Sequence, residues 1–339
     1  MEKLVSSWYN DKSLPHDYVF PPDKRPGKDH EVARCNSIPV IDLEKADYDG
    51  RNHIIQQIRD ASQDFGFFQV INHGVSERLM DDTMNLFFEF FDMPNEDKAE
   101  HFSEDPHKKS RLYTSNNYDN EEFHLWRDNL RHPCNPVDKC RNLWPTKPER
   151  YREIVGEYSV KVRNMLLQIL ELMREGLALQ SNAFREELTK EQMLSVNHYP
   201  PCPEPSLTLG LPKHCDPNLI TAVQQGDIPG LQVLKDAKWI GVEPLPNAFV
   251  VNVGHQLQII TNGKFKSAVH RAVTSSSHAR TTIVTFLVPD SHSIIEPAKA
   301  LTDNKPPLYR AFKFGEFMSF YTEKVGDPET VLEPFKLKN

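Results

Sequence analysis

The feature that most constrains the fold is a change in hydrophobic period at about Met193. From there to Pro289, apolar and polar residues alternate in short runs that are separated by turns. A period of two is typical of strands that bury one face. The runs cover residues 193–199, 205–215, 219–225, 231–235, 238–243, 248–253, 265–273 and 280–288. About eight strands of this kind predict a double-sheet jelly roll or a barrel.

The chain before Met193 is different, because its apolar residues recur at helical spacing. This period predicts amphipathic helices. They are expected at 53–65, 77–91 and 149–179, with short buried strands at 38–43 and 66–74.

Two further segments lie outside these helices and strands. The polar, proline-dotted segment 95–148 is predicted to be irregular. A loop of this length in a compact protein is commonly a lid or a pocket wall. One more helix is expected at 312–324.

The net charge and the lengths of the apolar runs argue against several classes of function. The 339 residues carry 40 lysines and arginines against 48 aspartates and glutamates, a net charge of −8. Nucleic-acid-binding domains are basic, so no nucleic-acid partner is expected. The apolar runs are too short for a transmembrane helix, and residues 1–9 include Glu2 and Lys3 rather than the apolar core of a signal peptide. We therefore expect a cytoplasmic monomer with no membrane partner.

The cysteines favour the same compartment. Cys35, Cys134, Cys140, Cys202 and Cys215 are an odd number, widely scattered and without a C-x-x-C pair. Free thiols in a reducing environment are the simplest interpretation.

A candidate metal site lies inside the β-region. His214 and Asp216 are two positions apart, so both side chains would point to one face of a strand. His270, in another alternating run, supplies a third donor. Two imidazoles and a carboxylate form the facial triad of non-haem iron(II) oxygenases. An H-x-D triplet is a weak signal alone, but no other occurs among the 14 histidines.

Iron fits this donor set better than zinc. Cys215 falls between His214 and Asp216 and would face away, which leaves no thiolate on the inward face. A catalytic zinc site with two histidines and a carboxylate is usually announced by H-E-x-x-H on a helix, and that motif is absent.

A second polar group begins ten positions after His270. Arg280 and Thr282 share one strand face, and a guanidinium beside a hydroxyl is suited to gripping a carboxylate. By the same alternation, Asn197 and Tyr199 are two more inward polar groups. Each motif alone is weak evidence for a metal or carboxylate site, whereas the order and spacing of the motifs together are strong evidence.

These segments together resemble the plant 2-oxoglutarate- and iron(II)-dependent dioxygenases, over essentially residues 38–335. The matching segments are 38–43, 65–75, 197–203, 214–217, 230–233, 252–254 and 270–273. Within the family, residues 111–115, 126–128 and 151–163 look most similar to two groups. One is the salicylate hydroxylases of the downy-mildew-resistance type, and the other is hyoscyamine 6-hydroxylase and its relatives.

The resemblance implies a fold that is mainly β with a helical N-terminal part. Its double-stranded β-helix core (jelly-roll, cupin-like) would be flanked by α-helices. We expect one compact unit with three parts. They are an extended N-terminal arm at 1–37, an N-terminal α/β region at 38–180, and the jelly-roll core with a C-terminal helix at 181–339.

The resemblance also implies roles for the site residues. His214, Asp216 and His270 would hold Fe(II). Arg280 and Thr282 would bind the distal carboxylate of 2-oxoglutarate, helped by Tyr199 and with Asn197 beside the cosubstrate. O₂ would be the second cosubstrate, and ascorbate the reductant in vitro. The enzyme would hydroxylate a small molecule and release succinate and CO₂, with desaturation and epoxidation left open.

The chain departs from the family pattern at three places. The usual R-x-S reads Arg280-Thr281-Thr282, which keeps a hydroxyl and adds a methyl. The usual H-T-D has Cys215 in the middle, at an outward position where little effect on the metal is expected. His255 follows Gly254 where the family has aspartate, and no role is assigned to it.

The substrate pocket is inferred from the same alternation. Ser195, Val284 and Phe286 share faces with the cosubstrate residues and would flank the iron. Residues from segment 95–148 and from the last helix could close over it: Asn117, Tyr118, Phe123, Trp126, Phe317 and Tyr321. An aromatic, mostly apolar lining suits a flat or bicyclic metabolite, although each of these side chains suits core packing equally well.

The expected function is hydroxylation of a plant secondary metabolite: a phenolic such as salicylate, a flavonoid, or a tropane-type alkaloid. Two alternatives stay open from the sequence. One is an iron oxidase of the same fold that does not use 2-oxoglutarate. The other is a non-catalytic sensor that binds 2-oxoglutarate or a metabolite.

Two histidines near these motifs are expected to be structural. His73 follows a strand and suits a buried, hydrogen-bonded position. His198 sits between two inward-facing residues and should point away from the site.

Overall fold

Two β-sheets form the centre of the structure, a computed structural model. It describes residues 2–10, 13–31, 34–35, 38–46, 49–115, 118–303, 305–324, 328 and 330–337. The strands in these residues are β1 (Arg34–Cys35), β2 (Val40–Asp42), β3 (Phe67–Ile71), β4 (Arg111–Tyr113), β5 (Asp128–Pro133), β6 (Glu191–Tyr199), β7 (Leu211–His214), β8 (Ile220–Gln224), β9 (Leu231–Lys235), β10 (Lys238–Val242), β11 (Phe249–Val253), β12 (His270–Ala272), β13 (Arg280–Val288), β14 (Ile294–Ile295) and β15 (Phe312–Lys313).

The order of the strands defines a jelly roll. The larger sheet runs β2-β3-β11-β8-β13-β6-β5-β4, and the smaller one runs β1-β10-β9-β12-β7. Strands β6 to β13 pass back and forth between the two sheets, which is the winding of a double-stranded β-helix. The predicted fold class is therefore confirmed. β14 and β15 form a separate two-stranded antiparallel sheet.

The three longest helices pack against the larger sheet, and the described residues contain seven α-helices in all. They are α1 (Arg51–Asp64), α2 (Glu77–Asp92), α3 (Asn95–Lys98), α4 (Val137–Cys140), α5 (Tyr151–Gly176), α6 (His255–Ile260) and α7 (Phe314–Glu323). Among the described residues, no helix is both long and apolar enough to cross a bilayer.

Alternation along β13 shows how the sheet separates core from site. Ile283 and Leu287 are fully buried and belong to the main hydrophobic cluster, together with Val162 and Leu166 of α5. Val284 and Phe286, at the alternate positions, face the opposite side of the sheet, toward the smaller sheet. Burying the first set against α5 therefore fixes where the second set points.

The segment 95–148 is more regular than its sequence suggested. It contributes β4 and β5, which extend the larger sheet beside β6. Polar side chains occupy both faces of β5, so the strand shows no apolar alternation in the sequence. The expected strand at 205–215 is also shorter, since β7 begins only at Leu211.

The N-terminal arm packs against β5 through a buried carboxylate. Asp128 is fully buried and accepts hydrogen bonds from the backbone N–H of Val5 at 2.7 Å and of Ser6 at 2.9 Å. The Thr114 hydroxyl donates a third bond at 3.4 Å. Trp8 lies edge-on to Trp126, with ring centroids 5.4 Å apart. The arm is thus attached at both a polar and an aromatic point.

We predict that Asp128→Ala destabilises the attachment of the arm. Losing hydrogen bonds to a buried carboxylate should lower the free energy of unfolding by about 1–3 kcal/mol. Denaturant titration and limited proteolysis of residues 1–30 measure the effect. Asp81→Ala, an exposed position on α2, is the control. Equal stability and equal proteolysis of the two variants would contradict the prediction.

Candidate metal centre and cosubstrate pocket

Three candidate metal ligands converge between the sheets. His214 ends β7 and pairs directly with His270, which begins β12. Asp216 follows two residues after His214, just beyond the end of the strand. The Oδ1 atom of Asp216 lies 3.5 Å from Nε2 of His214 and 3.7 Å from Nε2 of His270. Within the described part of the chain, these are the only three side chains grouped in a way that could hold a metal ion.

Backbone carbonyls orient both imidazoles. Nδ1 of His214 lies 2.9 Å from the carbonyl oxygen of Pro212, and Nδ1 of His270 lies 3.1 Å from that of Ala268. Each Nδ1–H therefore donates to the backbone, which leaves the Nε2 lone pair free to bind a metal. Burial lowers the pKa of His270 to about 4, so this imidazole is neutral near pH 7.

Asp216 presents one oxygen to the histidines and uses the other to hold its position. Its Oδ2 accepts hydrogen bonds from the Thr221 hydroxyl at 2.5 Å and from the Asn252 amide at 2.7 Å. Burial by itself raises the pKa of Asp216, but His270, His214 and Thr221 together hold that pKa well below its usual range. An ionised carboxylate beside two imidazoles fits Fe(II).

We predict that Thr221→Val weakens iron binding. The substitution keeps the shape of the side chain but removes the hydroxyl that holds Oδ2 of Asp216. Outer-shell hydrogen bonds of this kind typically contribute about 10- to 100-fold in metal affinity. Fe(II) affinity is measured by competition with a chelator under anaerobic conditions.

The matched control is Thr285→Val, on β13. Its hydroxyl is buried, has no hydrogen-bond partner in the described residues, and lies on the face of the sheet that packs against the helices. An Fe(II) affinity equal in the two variants would show that Thr221 does not support the centre.

A buried cation lies beside the centre. Arg280 is 4% exposed, and its Nε donates to the carbonyl oxygen of Ile228 at 3.0 Å. No carboxylate of the described residues lies within ion-pair distance of its guanidinium. Burial lowers the pKa of Arg280, and the nearby Tyr199 partly opposes that shift. A buried charge without a counter-ion is costly, so this position favours a bound anion.

Close packing holds the side chain of Arg280 in place. A Cβ atom on Gly230 would lie 2.9 Å from Cδ of Arg280 and 3.0 Å from the carbonyl oxygen of Val273. Only glycine leaves room for the arginine here. On the neighbouring strand, Asn197 Nδ2 lies 3.5 Å from the Thr282 hydroxyl. The predicted cosubstrate residues therefore surround one polar space.

One cavity collects ten of the predicted site residues. They are Ser195, Asn197, Tyr199, His214, Asp216, His270, Arg280, Thr282, Val284 and Phe286. The alternation of β6 and β13 explains the result, because each strand presents every second residue to the cavity. A larger groove of about 610 Å³ is lined by residues including His30, Asp227 and Ser275–Ser277. No cluster of metal-ligating side chains within the described residues lies in that groove.

The aromatic residues expected to close the pocket lie elsewhere in the structure. Trp126 donates its indole N–H to the carbonyl oxygen of Pro200, and Phe317 is fully buried in the main hydrophobic cluster. Tyr118 stacks on His124, and Phe123 packs near Phe20. The Tyr321 hydroxyl donates to the carbonyl oxygen of Cys215 at 2.9 Å. None of these five side chains lines the cavity, and Asn117 lies outside the described residues.

The cavity also contains residues that the sequence did not single out. Phe67, Arg127, Thr221, Val223, Leu231 and Asn252 contribute to its lining. Thr221 and Val223 follow the alternation of a strand that was expected, so their position was accessible from the sequence. Arg127 directly precedes β5. It was not predicted, because polar side chains on both faces of that strand leave no alternation to recognise.

The other histidines are placed away from the cavity. Nε2 of His73 lies 3.0 Å from the carbonyl oxygen of Asn247, and burial lowers the pKa of this histidine. His198 stacks on Phe91 with ring centroids 4.6 Å apart, and its Nδ1 bonds to the Thr281 hydroxyl. Both positions agree with the structural roles expected. His255 is buried, and its backbone N–H donates to the carbonyl oxygen of Asp216 at 2.8 Å.

The cysteines whose side chains the structure describes form no disulfide with one another. Cys134, Cys140, Cys202 and Cys215 are all buried. Burial raises the pKa of Cys134 to about 12, which leaves this thiol unreactive. The side chain of Cys35 lies outside the described residues.

Comparison with known proteins agrees with this site. The model of the 2OG-Fe(II) oxygenase superfamily matches residues 190–289, and that of the N-terminal region of the non-haem dioxygenase in morphine synthesis matches residues 38–147. The chain belongs to the family of 2-oxoglutarate- and iron(II)-dependent oxygenases. It is an enzyme that uses Fe(II), 2-oxoglutarate and O₂, as the resemblance in its sequence predicted.

Relatives extend over the whole chain. Hyoscyamine 6-dioxygenase of Hyoscyamus niger is 44% identical, with 99% of each chain covered. Protein DOWNY MILDEW RESISTANCE 6 of Arabidopsis thaliana is 42% identical, with 98% of each chain covered. The crystal structure of JOX2 in complex with 2OG, Fe and JA has a TM-score of 0.87 at 32% identity, covering 99% of this chain and 98% of that one. The two groups singled out from the sequence are thus both confirmed as relatives.

Proposed function

We propose that the enzyme hydroxylates a small plant secondary metabolite in the cavity between the sheets. His214, Asp216 and His270 hold Fe(II) in this proposal. Arg280, Thr282 and Tyr199 hold the distal carboxylate of 2-oxoglutarate, with Asn197 beside it. Ser195, Val284 and Phe286 flank the substrate. The observation that carries the proposal is that three metal-ligating side chains and an unpaired buried guanidinium line one cavity.

Iron with bound 2-oxoglutarate supplies the oxidative chemistry, which consumes O₂, releases succinate and CO₂, and places one oxygen atom on the substrate. The chain supplies orientation and shelter. Asp216 remains ionised because His270, His214 and Thr221 hold its pKa low, and Thr221 and Asn252 fix its second oxygen. Phe67 lies edge-on to His270 at 5.2 Å between ring centroids. Together with Val223 and Leu231, it forms an apolar part of the cavity lining.

The metabolite class is the finer part of the proposal. A phenolic such as salicylate, a flavonoid and a tropane-type alkaloid are the candidates. The similarity to hyoscyamine 6-dioxygenase supports a small cyclic substrate, and Val284 with Phe286 provides an apolar surface for one. Tyr118, Phe123, Trp126, Phe317 and Tyr321 stay predictions as residues that close the pocket. The monomeric state and the cytoplasmic location also stay predictions.

We predict that Asp216→Ala abolishes Fe(II) binding and iron-dependent turnover without unfolding the protein. The loss follows from removal of the only carboxylate in the ligand set. Anaerobic Fe(II) titration, succinate release and thermal melting measure the three properties. Asp81→Ala on the exposed face of α2 should behave as wild type. Full activity of Asp216→Ala would rule out the proposed centre.

We predict that Arg280→Ala raises the KM for 2-oxoglutarate by about 10- to 100-fold. This magnitude corresponds to loss of a charge-assisted hydrogen bond in a buried site. The KM for the substrate should change much less. Arg78→Ala, whose side chain is 89% exposed, is the control. An unchanged KM for 2-oxoglutarate would count against the role of Arg280.

Screening plant extracts with the reconstituted enzyme tests the reaction itself. Products that gain 16 mass units are expected for hydroxylation, and a loss of 2 indicates desaturation. Succinate should form in proportion to product. A product that forms without 2-oxoglutarate would favour an iron oxidase. Binding of metabolites without any substrate-coupled O₂ uptake would favour a sensor.

A further inference from the structure

A second buried guanidinium lies in the same cavity, on the opposite side of Asn197 from Thr282. Arg127 is 8% exposed and lines the cavity with the metal ligands. Its Nη1 donates to Oδ1 of Asn197 at 2.8 Å. Within the described residues, its buried Nε has no hydrogen-bond partner and no carboxylate lies within ion-pair distance of the guanidinium.

The buried acid next to Arg127 does not neutralise it. Asp128 is adjacent in the chain, but successive residues of an extended segment point to opposite faces. Both oxygens of Asp128 are engaged by the N-terminal arm, through the backbone N–H groups of Val5 and Ser6. The charge of Arg127 is thus left for a group that enters the cavity.

Polar neighbours hold Arg127 in a fixed position. Asn129 donates through Nδ2 to Ser195 Oγ at 2.7 Å and to Asn197 Oδ1 at 2.8 Å. Oδ1 of Asn129 is buried and has no partner in the described residues. Of these side chains, Arg127, Ser195 and Asn197 line the cavity. This wall of the cavity therefore carries a positive charge and, within the described residues, an unused hydrogen-bond donor at Nε of Arg127.

The cosubstrate leaves this wall unoccupied in the proposed arrangement. The distal carboxylate of 2-oxoglutarate is assigned to Arg280, and the other end of the molecule to the metal. A buried cation with no counter-ion destabilises the protein, and a carboxylate that forms charge-assisted hydrogen bonds removes that cost. Beside this wall, Val284 and Phe286 provide apolar contact surface.

We infer that the substrate is an organic anion whose carboxylate pairs with Arg127 while its apolar body lies against Val284 and Phe286. This inference rests on the proposed function and selects within it. It favours an aromatic acid over a neutral flavonoid, and disfavours a protonated amine such as a tropane alkaloid, which the positive wall would repel. Arg127 is then a specificity-determining residue.

The test compares acids with their own methyl esters. Salicylate and trans-cinnamate are titrated by calorimetry against methyl salicylate and methyl trans-cinnamate, with hyoscyamine as a cation. The protein is loaded anaerobically with Fe(II) and 2-oxoglutarate, and the titrations are repeated on metal-free protein. We expect an acid to bind at least about 10-fold more tightly than its ester, the ratio that one charge-assisted hydrogen bond typically supplies.

Variants assign the preference to Arg127. Arg127→Gln should reduce the acid-to-ester ratio to about one, and Arg127→Lys should keep part of it because the charge remains. Arg78→Gln, exposed on α2, is the charge-matched control and should keep the whole ratio. Thermal melting checks that each variant folds. If Arg127→Gln does not fold, the acid-to-ester ratio of Arg127→Lys decides the case.

Three results would overturn the inference. Esters could bind wild-type protein as tightly as acids, or the acids could fail to bind at all. Arg127→Gln could weaken 2-oxoglutarate rather than the acids, which would make Arg127 a cosubstrate ligand. Failure of the proposed function is distinguishable, because it shows as wild-type protein that binds neither Fe(II) nor 2-oxoglutarate. In that event the titrations on metal-free protein still decide whether Arg127 binds carboxylates.

Discussion

Two groups of partners surround the carboxylate of Asp216, one group at each of its oxygen atoms. Thr221 and Asn252 fix one of its oxygens, and the imidazoles of His214 and His270 face the other. A carboxylate this deeply buried would ordinarily be protonated, and these partners keep it ionised. Because Thr221 and Asn252 stand on β8 and β11 of the larger sheet, while the histidines stand on β7 and β12 of the smaller one, the centre exists only when both sheets are assembled.

One face of the larger sheet lines the cavity, and the pairing of its strands positions the remaining site residues. Strands β8, β13 and β6 present alternate residues to one space, which Asn252 of β11 and Arg127, just before β5, also line. The opposite face packs against α5 with buried apolar side chains such as Ile283 and Leu287. A shift of register by one residue would exchange these two sets, burying Arg280 among leucines and exposing Ile283 to the cavity. The register that packs the sheet against the helices therefore also fixes which side chains reach the site.

In the proposed arrangement, the two buried guanidiniums provide separate anion positions in the cavity. Arg280 and Arg127 lie on either side of Asn197 and Thr282, and neither has a carboxylate partner in the described chain. The protein uses Asp128, the acid closest to Arg127 in sequence, to fasten the N-terminal arm instead. Leaving both cations uncompensated costs stability in the free protein, and the charges become satisfied when anions bind.

Much of this site could be predicted from local pattern, because alternation on a strand is a local property. His214, Asp216, Arg280, Thr282, Asn197 and Tyr199 were identified that way, and the structure places all six in one cavity with His270. The pattern failed for β5, whose polar residues on both faces conceal its alternation, and so Arg127 was missed. The pattern also did not separate pocket from core for Trp126 and Phe317, which do not line the cavity, since an aromatic side chain suits both equally well until its neighbours are known. The chain by itself thus determined which residues could share a face, through the period of two. Only the tertiary structure decided which faces meet, because that depends on long-range pairing such as β5 with β6 and on which side of each strand the helices bury.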